Sequence, residues 1–246
     1  MQIAVLMAGL GKRFVDAGFS TPKPLIKVND KTILDWTLSS VQTLVEKNPL
    51  SFAVRKEHED EYKIIENLKE KYGEKTKFIL CDGPIKGNLF TACELSKQLF
   101  NNKLEPILFL DSDNIYNSTN FENLLENIQE KDFVVLCYFE LKDKNDLKWG
   151  FCSVNEGDSR VIALKEKEFL ENGKPMVGFF YWSSIKLFEQ IASEVFQNEP
   201  PGKNNEYYLT QGVSHALKNG ISVHAFKSEH MVALGTPEDV EKFEKS

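Results

Sequence analysis

The chain has 246 residues, of which 41% are hydrophobic and 27% charged, and its formal net charge at pH 7 is -7. This length is enough for an α/β domain with a full hydrophobic core, and the composition is ordinary for a globular protein. A net negative charge does not suit general binding to nucleic acid, because phosphate backbones favour a basic surface. The longest apolar run, residues 133–139, has the length of a strand and is too short to span a membrane.

The cysteines and the N-terminal residues both indicate the cellular compartment. Cys81, Cys93, Cys137 and Cys152 form no C-x-x-C pair and have no histidine at zinc-binding spacing, so we expect free thiols in a reducing environment. The first residues have neither the basic start nor the small-residue cleavage site of a secretory signal. We therefore expect a cytoplasmic protein.

Strand and helix patterns alternate through the first 140 residues. Apolar runs predict buried strands at 3–7, 51–55, 76–81, 107–111 and 133–139. Apolar residues at three-four spacing predict helices at 32–47, 57–72, 88–100 and 119–130. This alternation favours an α/β fold with an open, mostly parallel sheet and helices on both of its faces.

The pattern changes after about residue 140. Two short strands joined by an Asn-Glu-Gly-Asp turn predict a hairpin over 149–169, with Trp149 in its packing. A strand at 174–184, a helix at 185–197 and a polar loop at 198–208 are expected next. Helices at 207–219 and 237–245 flank a predicted strand at 221–226. We interpret this second part as a hairpin layer added to one domain that spans 1–246.

The first predicted strand runs directly into the sequence MAGLGKRF. Gly9 and Gly11 allow a tight turn with exposed backbone N–H groups, which can bind phosphate. Phe14 stands where a dinucleotide-binding motif has its third glycine, and no G-K-[ST] ends the turn as in a Walker loop. The remaining pattern is G-x-G-x-R, with Lys12 beside Arg13, whose planar guanidinium suits anions. Taken alone, it also fits an ordinary turn.

Nine residues further on, the chain reads Pro22-Lys23-Pro24. The two prolines are expected to hold the flanking backbone extended and to restrict Lys23 to few conformations. Residues 1–31 carry five basic residues against two acidic ones, although the whole chain is acidic. Together with the glycine loop, this pattern indicates a cationic pocket for a small anion; in isolation, Lys23 could be incidental to a rigid loop.

Two carboxylates follow the predicted strand at 107–111. Asp111 and Asp113 stand where a buried strand ends, which is the ligand-binding edge of an open α/β sheet. Carboxylates two residues apart can hold a hard divalent cation through their oxygens. A role in helix capping or in a turn would explain one of the two residues more easily than both.

These segments resemble the nucleotidyltransferases that share a GT-A-type Rossmann-like fold. The segment DGPIKGNLFTACE is similar to the loop that contacts the nucleobase in that family, and FLDSDN to its metal-binding strand end. The hairpin with its Glu-Lys pair, the strand VGFFYW and the closing ALGTPED follow in the family's order. The form MAGxGxRF with PKPLI resembles the branch found in bacterial capsule loci, which includes cytidylyltransferases with a phosphoglutamine acceptor.

The resemblance implies a fold, an activity and a cofactor. The fold would be a mixed, mostly parallel sheet flanked by helices, with an added β-hairpin layer. The activity would be transfer of a nucleoside monophosphate, with CTP favoured as the donor, to a phosphorylated small-molecule acceptor with release of pyrophosphate. The cofactor would be Mg²⁺. Residues 1–140 would form the nucleotide-binding part and 141–246 the acceptor-binding part.

The resemblance also assigns roles by position. The nucleotide-binding residues would be Ala8, Gly9, Gly11, Lys12, Arg13, Asp82, Gly87, Asn88 and Ser112. The acceptor-binding residues would be Glu166, Lys167, Gly178 and Glu206. The metal would be held by Asp113 with Asp111, and the catalytic cations would be Arg13, Lys23 and Lys167.

One departure from the family pattern and three alternatives remain open at this point. Many relatives have an Asp before the closing G-T-P as a second metal ligand, where this chain has Ala233 and Leu234. Asp111, Glu206 or a phosphate oxygen could replace it. The alternatives are a hexose- or heptose-1-phosphate nucleotidyltransferase, a GT-A glycosyltransferase using Asp-Ser-Asp as its metal triplet, and a non-catalytic nucleotide-binding protein.

Overall fold

The computed structural model describes residues 1–83, 86–141, 146–155 and 157–246. Pro84 and Ile85 of the predicted base-contacting loop, and Glu156 of the predicted hairpin turn, lie outside these residues. The strands are β1 Gln2–Met7, β2 Lys27–Val28, β3 Lys31–Thr32, β4 Leu50–Arg55, β5 Lys77–Cys81, β6 Ile107–Leu110, β7 Asn114–Tyr116, β8 Phe133–Tyr138, β9 Gly150–Val154, β10 Val161–Glu166, β11 Lys174–Trp182, β12 Ser222–Lys227 and β13 Met231–Ala233.

The helices alternate with these strands. They are α1 Lys12–Asp16, α2 Ile33–Ser39, α3 Gln42–Lys47, α4 Lys56–Tyr62, α5 Ile64–Tyr72, α6 Asn88–Leu99, α7 Asn120–Asn127, α8 Ile185–Asn198, α9 Leu209–Lys218 and α10 Pro237–Glu244. Single 3-10 turns form at Lys23–Leu25 and Lys203–Asn205. Across the described ranges, no helix combines the length and apolar character needed to cross a membrane.

The main sheet has the strand order β5-β4-β1-β6-β11-β8-β12. Strands β5, β4, β1 and β6 are parallel, β11 runs antiparallel to both of its neighbours, and β8 and β12 are parallel to each other. The β9–β10 hairpin joins the sheet where β11 pairs with β9. The expected mixed, mostly parallel sheet with an added hairpin layer is confirmed.

Helices cover both faces of this sheet, and each face has its own apolar core. Leu89, Trp182 and Phe188 pack on one face, under α6, α8 and α9, whereas Leu34 and Phe52 pack on the other. The central strands are buried from both sides, which explains why their sequences are continuous apolar runs rather than alternating patterns. The four cysteines are free thiols, as expected.

Two segments predicted as single helices are each divided in two. The segment 32–47 breaks between α2 and α3, where the Ser39 and Ser40 hydroxyls both donate to the carbonyl oxygen of Trp36 and compete with helical backbone bonds. The segment 57–72 breaks at Lys63, which has a φ of 51°. There the Glu59 carboxylate accepts from the backbone N–H of Ile65 at 2.8 Å and satisfies the start of α5.

The proline-framed lysine also differs in part from the prediction. Pro22 is extended, with φ -53° and ψ 136°, but Lys23 begins a 3-10 turn rather than continuing the extended backbone. The N–H of Leu25 donates to the Pro22 carbonyl at 2.8 Å and closes this turn. The two prolines therefore frame a 3-10 turn rather than an extended segment.

Candidate active site

Two adjoining cavities open where β1 and β6 end, at the carboxyl edge of the parallel strands. The first, here the glycine-loop cavity, has a volume of about 790 Å³ and is lined by Ala8, Gly9, Leu10, Gly11, Lys12, Gly87, Thr91, Asn204 and Glu206, among others. The second, the Asp113 cavity, measures about 260 Å³ and is lined by Arg13, Asp111, Asp113, Lys148, Trp149, Glu166, Lys167, Gly178 and Asp239, among others. Asn88 and Tyr208 line both cavities, so the two cavities share a wall.

The glycine loop lies directly against the proline-framed lysine. Gly11 has a φ of 60° and precedes α1, and the Phe14 N–H donates to the Gly11 carbonyl at 2.8 Å. A Cβ added to Gly11 would lie 3.3 Å from the Lys23 Cβ. The two motifs that the sequence separates by nine residues are therefore neighbours.

Backbone hydrogen bonds join the start of α6 to the segment before α9. The Tyr207 N–H donates to the Lys86 carbonyl at 2.8 Å, and the Leu89 N–H donates to the Tyr207 carbonyl at 3.0 Å. Gly87, between them, has a φ of 97°, and a Cβ there would lie 2.2 Å from the Tyr207 carbonyl oxygen. Only glycine fits at this position, because any side chain would collide with the paired backbone.

Asp113 and Lys23 form an ion pair beside the glycine loop. Lys23 Nζ lies 2.7 Å from Asp113 Oδ2, and each side chain is 21% exposed. The Asn114 side-chain amide donates to the other carboxylate oxygen of Asp113 at 3.0 Å, and the Leu234 N–H donates to the Asp113 carbonyl at 2.8 Å. Lys23 thus connects the glycine loop to the acidic strand end.

Asp111 lies against β11 on the far side of the same cavity. Its N–H donates to the Gly178 carbonyl at 2.9 Å, and a Cβ on Gly178 would lie 2.3 Å from the Asp111 carboxylate. Burial, and then the negative charge of Asp113, raise the pKa of Asp111 to about 7, although Lys23 opposes the shift. Asp111 and Asp113 thus lie side by side, with Lys23 paired to Asp113 and Lys167 near Glu166.

The carboxylates at the Asp113 cavity determine how the expected metal could be held. Within the described parts of the chain, no three or more His, Cys, Asp or Glu side chains are arranged as a complete metal-binding group. Ala233 and Gly235 line the cavity where relatives supply a second acidic ligand, and Glu206 lies at the glycine-loop cavity instead. Of the replacements considered from the sequence, Asp111 is the carboxylate that lies beside Asp113. A hard divalent cation fits two adjacent carboxylates, its remaining ligands coming from phosphate and water.

The end of the hairpin presents the Glu-Lys pair to the Asp113 cavity. Lys167 has a φ of 53°, its N–H donates to the Trp149 carbonyl at 3.0 Å, and its Nζ lies 3.6 Å from Glu166 Oε1. The same ammonium lies 4.6 Å from the ring centre of Tyr208. Lys167 is therefore held at the wall that the two cavities share.

Sequence reasoning missed a second charged pair at this cavity. Lys148 Nζ lies 3.6 Å from Asp239 Oδ1 and 5.1 Å from the ring centre of Trp149. Trp149 packs edge-on against Phe139 at 5.1 Å, as expected for the hairpin, but it also lines the cavity. Asp239 ends the ALGTPED motif, but Lys148 belongs to no motif and is far from it in the chain, so the sequence did not indicate that the two side chains meet.

Four of the expected site residues lie apart from their predicted groups, and one of them is Glu206, which was expected at the acceptor but lines the glycine-loop cavity. Ser112 is buried and lines neither cavity. Asp82 lies in a smaller pocket that shares Ala8 and Thr91 with the glycine-loop cavity. Arg13, expected at the nucleotide, lines the Asp113 cavity.

Comparisons with known proteins agree with this fold. Solved structures with a similar fold include a nucleoside-diphosphate-sugar pyrophosphorylase from Vibrio cholerae, with a TM-score of 0.83, 18% identity and full coverage of both chains. An inositol-1-phosphate CTP transferase from T. maritima has a TM-score of 0.75 and 16% identity, with coverage of 99% of this chain and 93% of that one. A UDP-glucose pyrophosphorylase bound to UDP-glucose has a TM-score of 0.73 and 19% identity, with coverage of 99% and 97%.

These low identities establish a common fold and nothing finer. No curated protein matches the sequence significantly. A family model described as nucleotidyl transferase, however, matches residues 3–242, which is nearly the whole chain. The chain therefore belongs to the nucleotidyl transferase family.

Proposed function

We propose that the protein transfers CMP from CTP to a phosphorylated, phosphoglutamine-like acceptor used in capsule modification, and that pyrophosphate is released. The observation that carries this proposal is the position of Lys23, which lies against Gly11 and contacts Asp113 at 2.7 Å. This lysine joins a loop suited to phosphate with a strand end suited to a divalent cation.

The nucleotide would occupy the glycine-loop cavity. Its phosphates would lie along Gly9, Gly11 and Lys12, and its base would face Gly87 and Asn88. The volume of about 790 Å³ is in the range of small-molecule sites. The backbone N–H groups of a glycine loop suit phosphate and do not depend on which base is attached.

The acceptor would occupy the Asp113 cavity, with its phosphate at Lys167. An acceptor phosphate oxygen would attack the α-phosphorus in line, and the bond from that phosphorus to the pyrophosphate oxygen would break. The attacking phosphate is already ionised, so no general base is required. Catalysis then consists of aligning two anions and neutralising the charge on the leaving group, which suits Arg13, Lys23 and Lys167.

Mg²⁺ would be held by Asp113 with Asp111. The adjacent carboxylates of Asp111 and Asp113 fit a divalent cation, because carboxylate oxygens are the ligands that hard cations prefer. When bound, such a metal ion neutralises phosphate oxygens and holds them in position.

Lys148 and Asp239 favour an amino-acid-like acceptor over a sugar. A cation and an anion 3.6 Å apart beside Trp149 complement the carboxylate and ammonium of an amino-acid head group. Sugar hydroxyls would be better matched by neutral hydrogen-bonding groups. The phosphorylated end of the acceptor would lie towards Lys167, at the wall shared with the nucleotide.

We further propose that the chain works as one domain, with residues 1–140 as the nucleotide-binding part and 141–246 as the acceptor-binding part. The two parts are not strictly separate. Arg13 from the first part lines the Asp113 cavity, and Glu206 from the second lines the glycine-loop cavity.

A pyrophosphate-release screen tests the proposal. The four nucleoside triphosphates are each combined, with Mg²⁺, with phosphoglutamine, other phosphorylated amines, and hexose and heptose 1-phosphates. We expect release to be fastest with CTP and phosphoglutamine. Fastest release with a sugar 1-phosphate would assign a sugar-nucleotide synthesis instead. Release with none of the pairs, despite nucleotide binding, would point to a non-catalytic protein or to a glycosyltransferase, which uses an already activated sugar.

A further inference from the structure

Lys167 has a backbone conformation that lysine rarely adopts. Its φ of 53° lies in the left-handed region, where the Cβ of an L-residue crowds the following carbonyl. Such a conformation persists only where the surroundings hold it, and it is often found at functional sites. The contacts that hold Lys167 are therefore candidates for a functional role.

Two of these contacts fix the peptide groups on either side of Lys167. Its N–H donates to the Trp149 carbonyl at 3.0 Å, which continues the pairing of the hairpin. Its carbonyl oxygen accepts a hydrogen bond from Lys203 Nζ at 2.8 Å. Lys203 comes from the polar loop between α8 and α9, so the second contact crosses between distant parts of the chain.

Tyr208 closes a ring of contacts among these residues. Its hydroxyl donates to the Lys203 carbonyl at 3.0 Å, and its ring lies 4.6 Å from Lys167 Nζ. The backbone of Lys167 is thus held by Lys203, Lys203 is held by Tyr208, and the Tyr208 ring supports the Lys167 ammonium.

The loop that carries Lys203 is itself anchored at both ends. The Gly202 N–H donates to the Glu206 carbonyl at 2.8 Å, which closes the loop on itself. The following residue, Tyr207, pairs with the backbone on both sides of Gly87. Lys203 therefore extends from a segment that also forms the wall of the glycine-loop cavity.

We propose that Lys203 is a positioning residue: by donating to the Lys167 carbonyl, it holds Lys167 left-handed with its ammonium over Tyr208, facing the acceptor phosphate. This inference rests on the proposed function of the Asp113 cavity as the acceptor site. Lys203 is absent from the lining of both cavities, so its effect on the acceptor passes through Lys167.

Steady-state kinetics of Lys203→Met, Lys203→Arg and Tyr208→Phe test the proposal. In Lys203→Met we expect the acceptor KM to rise about tenfold, the effect of losing one charge-assisted hydrogen bond, with the KM for CTP unchanged. Lys203→Arg retains a donor and should recover most of the affinity. Tyr208→Phe removes only the hydroxyl and should raise the acceptor KM by a smaller factor. Lys186→Met, at an exposed lysine of α8, is the control and should match the wild type.

A crystal structure of Lys203→Met gives a readout that does not depend on activity. We expect Lys167 to leave the left-handed region and its ammonium to move away from Tyr208. Retention of a φ near the original value would overturn the proposal, whether the acceptor KM stays constant or rises, because Lys203 would then have no effect on Lys167. A changed φ with an unchanged acceptor KM would overturn it as well. Absence of transfer by the wild type would instead refute the proposed function, and the structure would still show whether Lys203 positions Lys167.

Discussion

The two adjoining cavities are built from different parts of the polypeptide. The glycine-loop cavity has Gly9, Gly11 and Gly87 in its wall, and among its described lining residues only Lys12 and Glu206 are charged. The Asp113 cavity is formed by charged side chains from distant segments, including Lys148, Lys167 and Asp239. A backbone wall recognises phosphate whatever is attached to it, whereas a side-chain wall can change with a few substitutions. We infer that the first cavity carries the chemistry common to the family and the second carries the choice of acceptor.

The largest effect is expected where the two cavities are connected. Lys23→Met removes the cation that contacts both the glycine loop and Asp113, and it should lower kcat/KM by about 10²–10³-fold, the usual loss for one transition-state donor. The midpoint of urea unfolding should fall modestly, because Asp113 loses its ion-pair partner but keeps the hydrogen bond from Asn114. Lys27→Met, which removes an exposed lysine of β2, serves as the control. Wild-type turnover by Lys23→Met would contradict the proposed mechanism.

The next largest effect is expected in the glycine-loop cavity. Gly87→Ala places a Cβ 2.2 Å from the Tyr207 carbonyl oxygen at a φ of 97°. The pairing between the two segments must shift, and we expect the KM for CTP to rise about tenfold and the free energy of unfolding to fall by about 1–3 kcal/mol. Gly73→Ala is the matched control, since Gly73 has a φ of 96° and lines neither cavity, and its added Cβ meets nothing within 4 Å. Equal effects of the two substitutions would show that the backbone pairing at Gly87 is unimportant.

The difference between the two cavities also explains which features could be predicted from the sequence. The alternation of apolar runs predicted the fold, because strands buried on both faces need continuous hydrophobic sequences. The glycine loop, the Pro-Lys-Pro motif and the acidic strand end could be recognised because each is a short, contiguous motif. The structure brings Gly11, Lys23 and Asp113 together, as the sequence suggested.

The Asp113 cavity was less predictable, because its contacts join residues far apart in the chain. Lys148 meets Asp239 through tertiary structure alone, and nothing in either local sequence indicates the other. Glu206 was assigned to the acceptor from its loop but lines the glycine-loop cavity, because Tyr207 ties that loop to the start of α6. The helix breaks at Ser40 and Lys63 were also missed, since side-chain hydrogen bonds override the apolar periodicity there.

A smaller effect is expected in the Asp113 cavity. Lys148→Met and Asp239→Asn should each raise the acceptor KM about fivefold to tenfold, as expected for one partly exposed charge contact, and leave the KM for CTP unchanged. Lys174→Met is the control, because Lys174 pairs with Glu140 in another exposed ion pair. If Lys148→Met raised the KM for CTP as much as that for the acceptor, the assignment of separate ligands to the two cavities would be wrong.

The smallest effect is expected at a residue that lines neither cavity and supports the framework beneath both. The Asp35 carboxylate accepts from Lys71 at 2.6 Å and from the Tyr72 hydroxyl at 2.7 Å, and it forms a capping box with Thr32 at the start of α2. Helix α2 in turn supports the segment after Asp113, because the Asn114 N–H donates to the Thr37 hydroxyl at 3.2 Å. Asp35→Asn should therefore lower the free energy of unfolding by about 1–2 kcal/mol at pH 7 and leave both KM values unchanged.

The pH dependence of that loss gives a sharper test than its size. Burial alone would raise the pKa of Asp35, but hydrogen bonds from Lys71, Tyr72 and Thr32 outweigh it and lower the pKa below its ordinary value of 3.8. A carboxyl whose pKa is lower in the folded state contributes stability above the unfolded value, and this contribution disappears as the pH falls through the folded value. Urea unfolding of wild type and Asp35→Asn should differ by a constant amount from pH 7 to about pH 5, and the difference should shrink at lower pH. If the difference stayed the same at pH 3, the capping geometry rather than the charge of Asp35 would supply the stability. Tyr72→Phe would then destabilise the protein nearly as much as Asp35→Asn at both pH values.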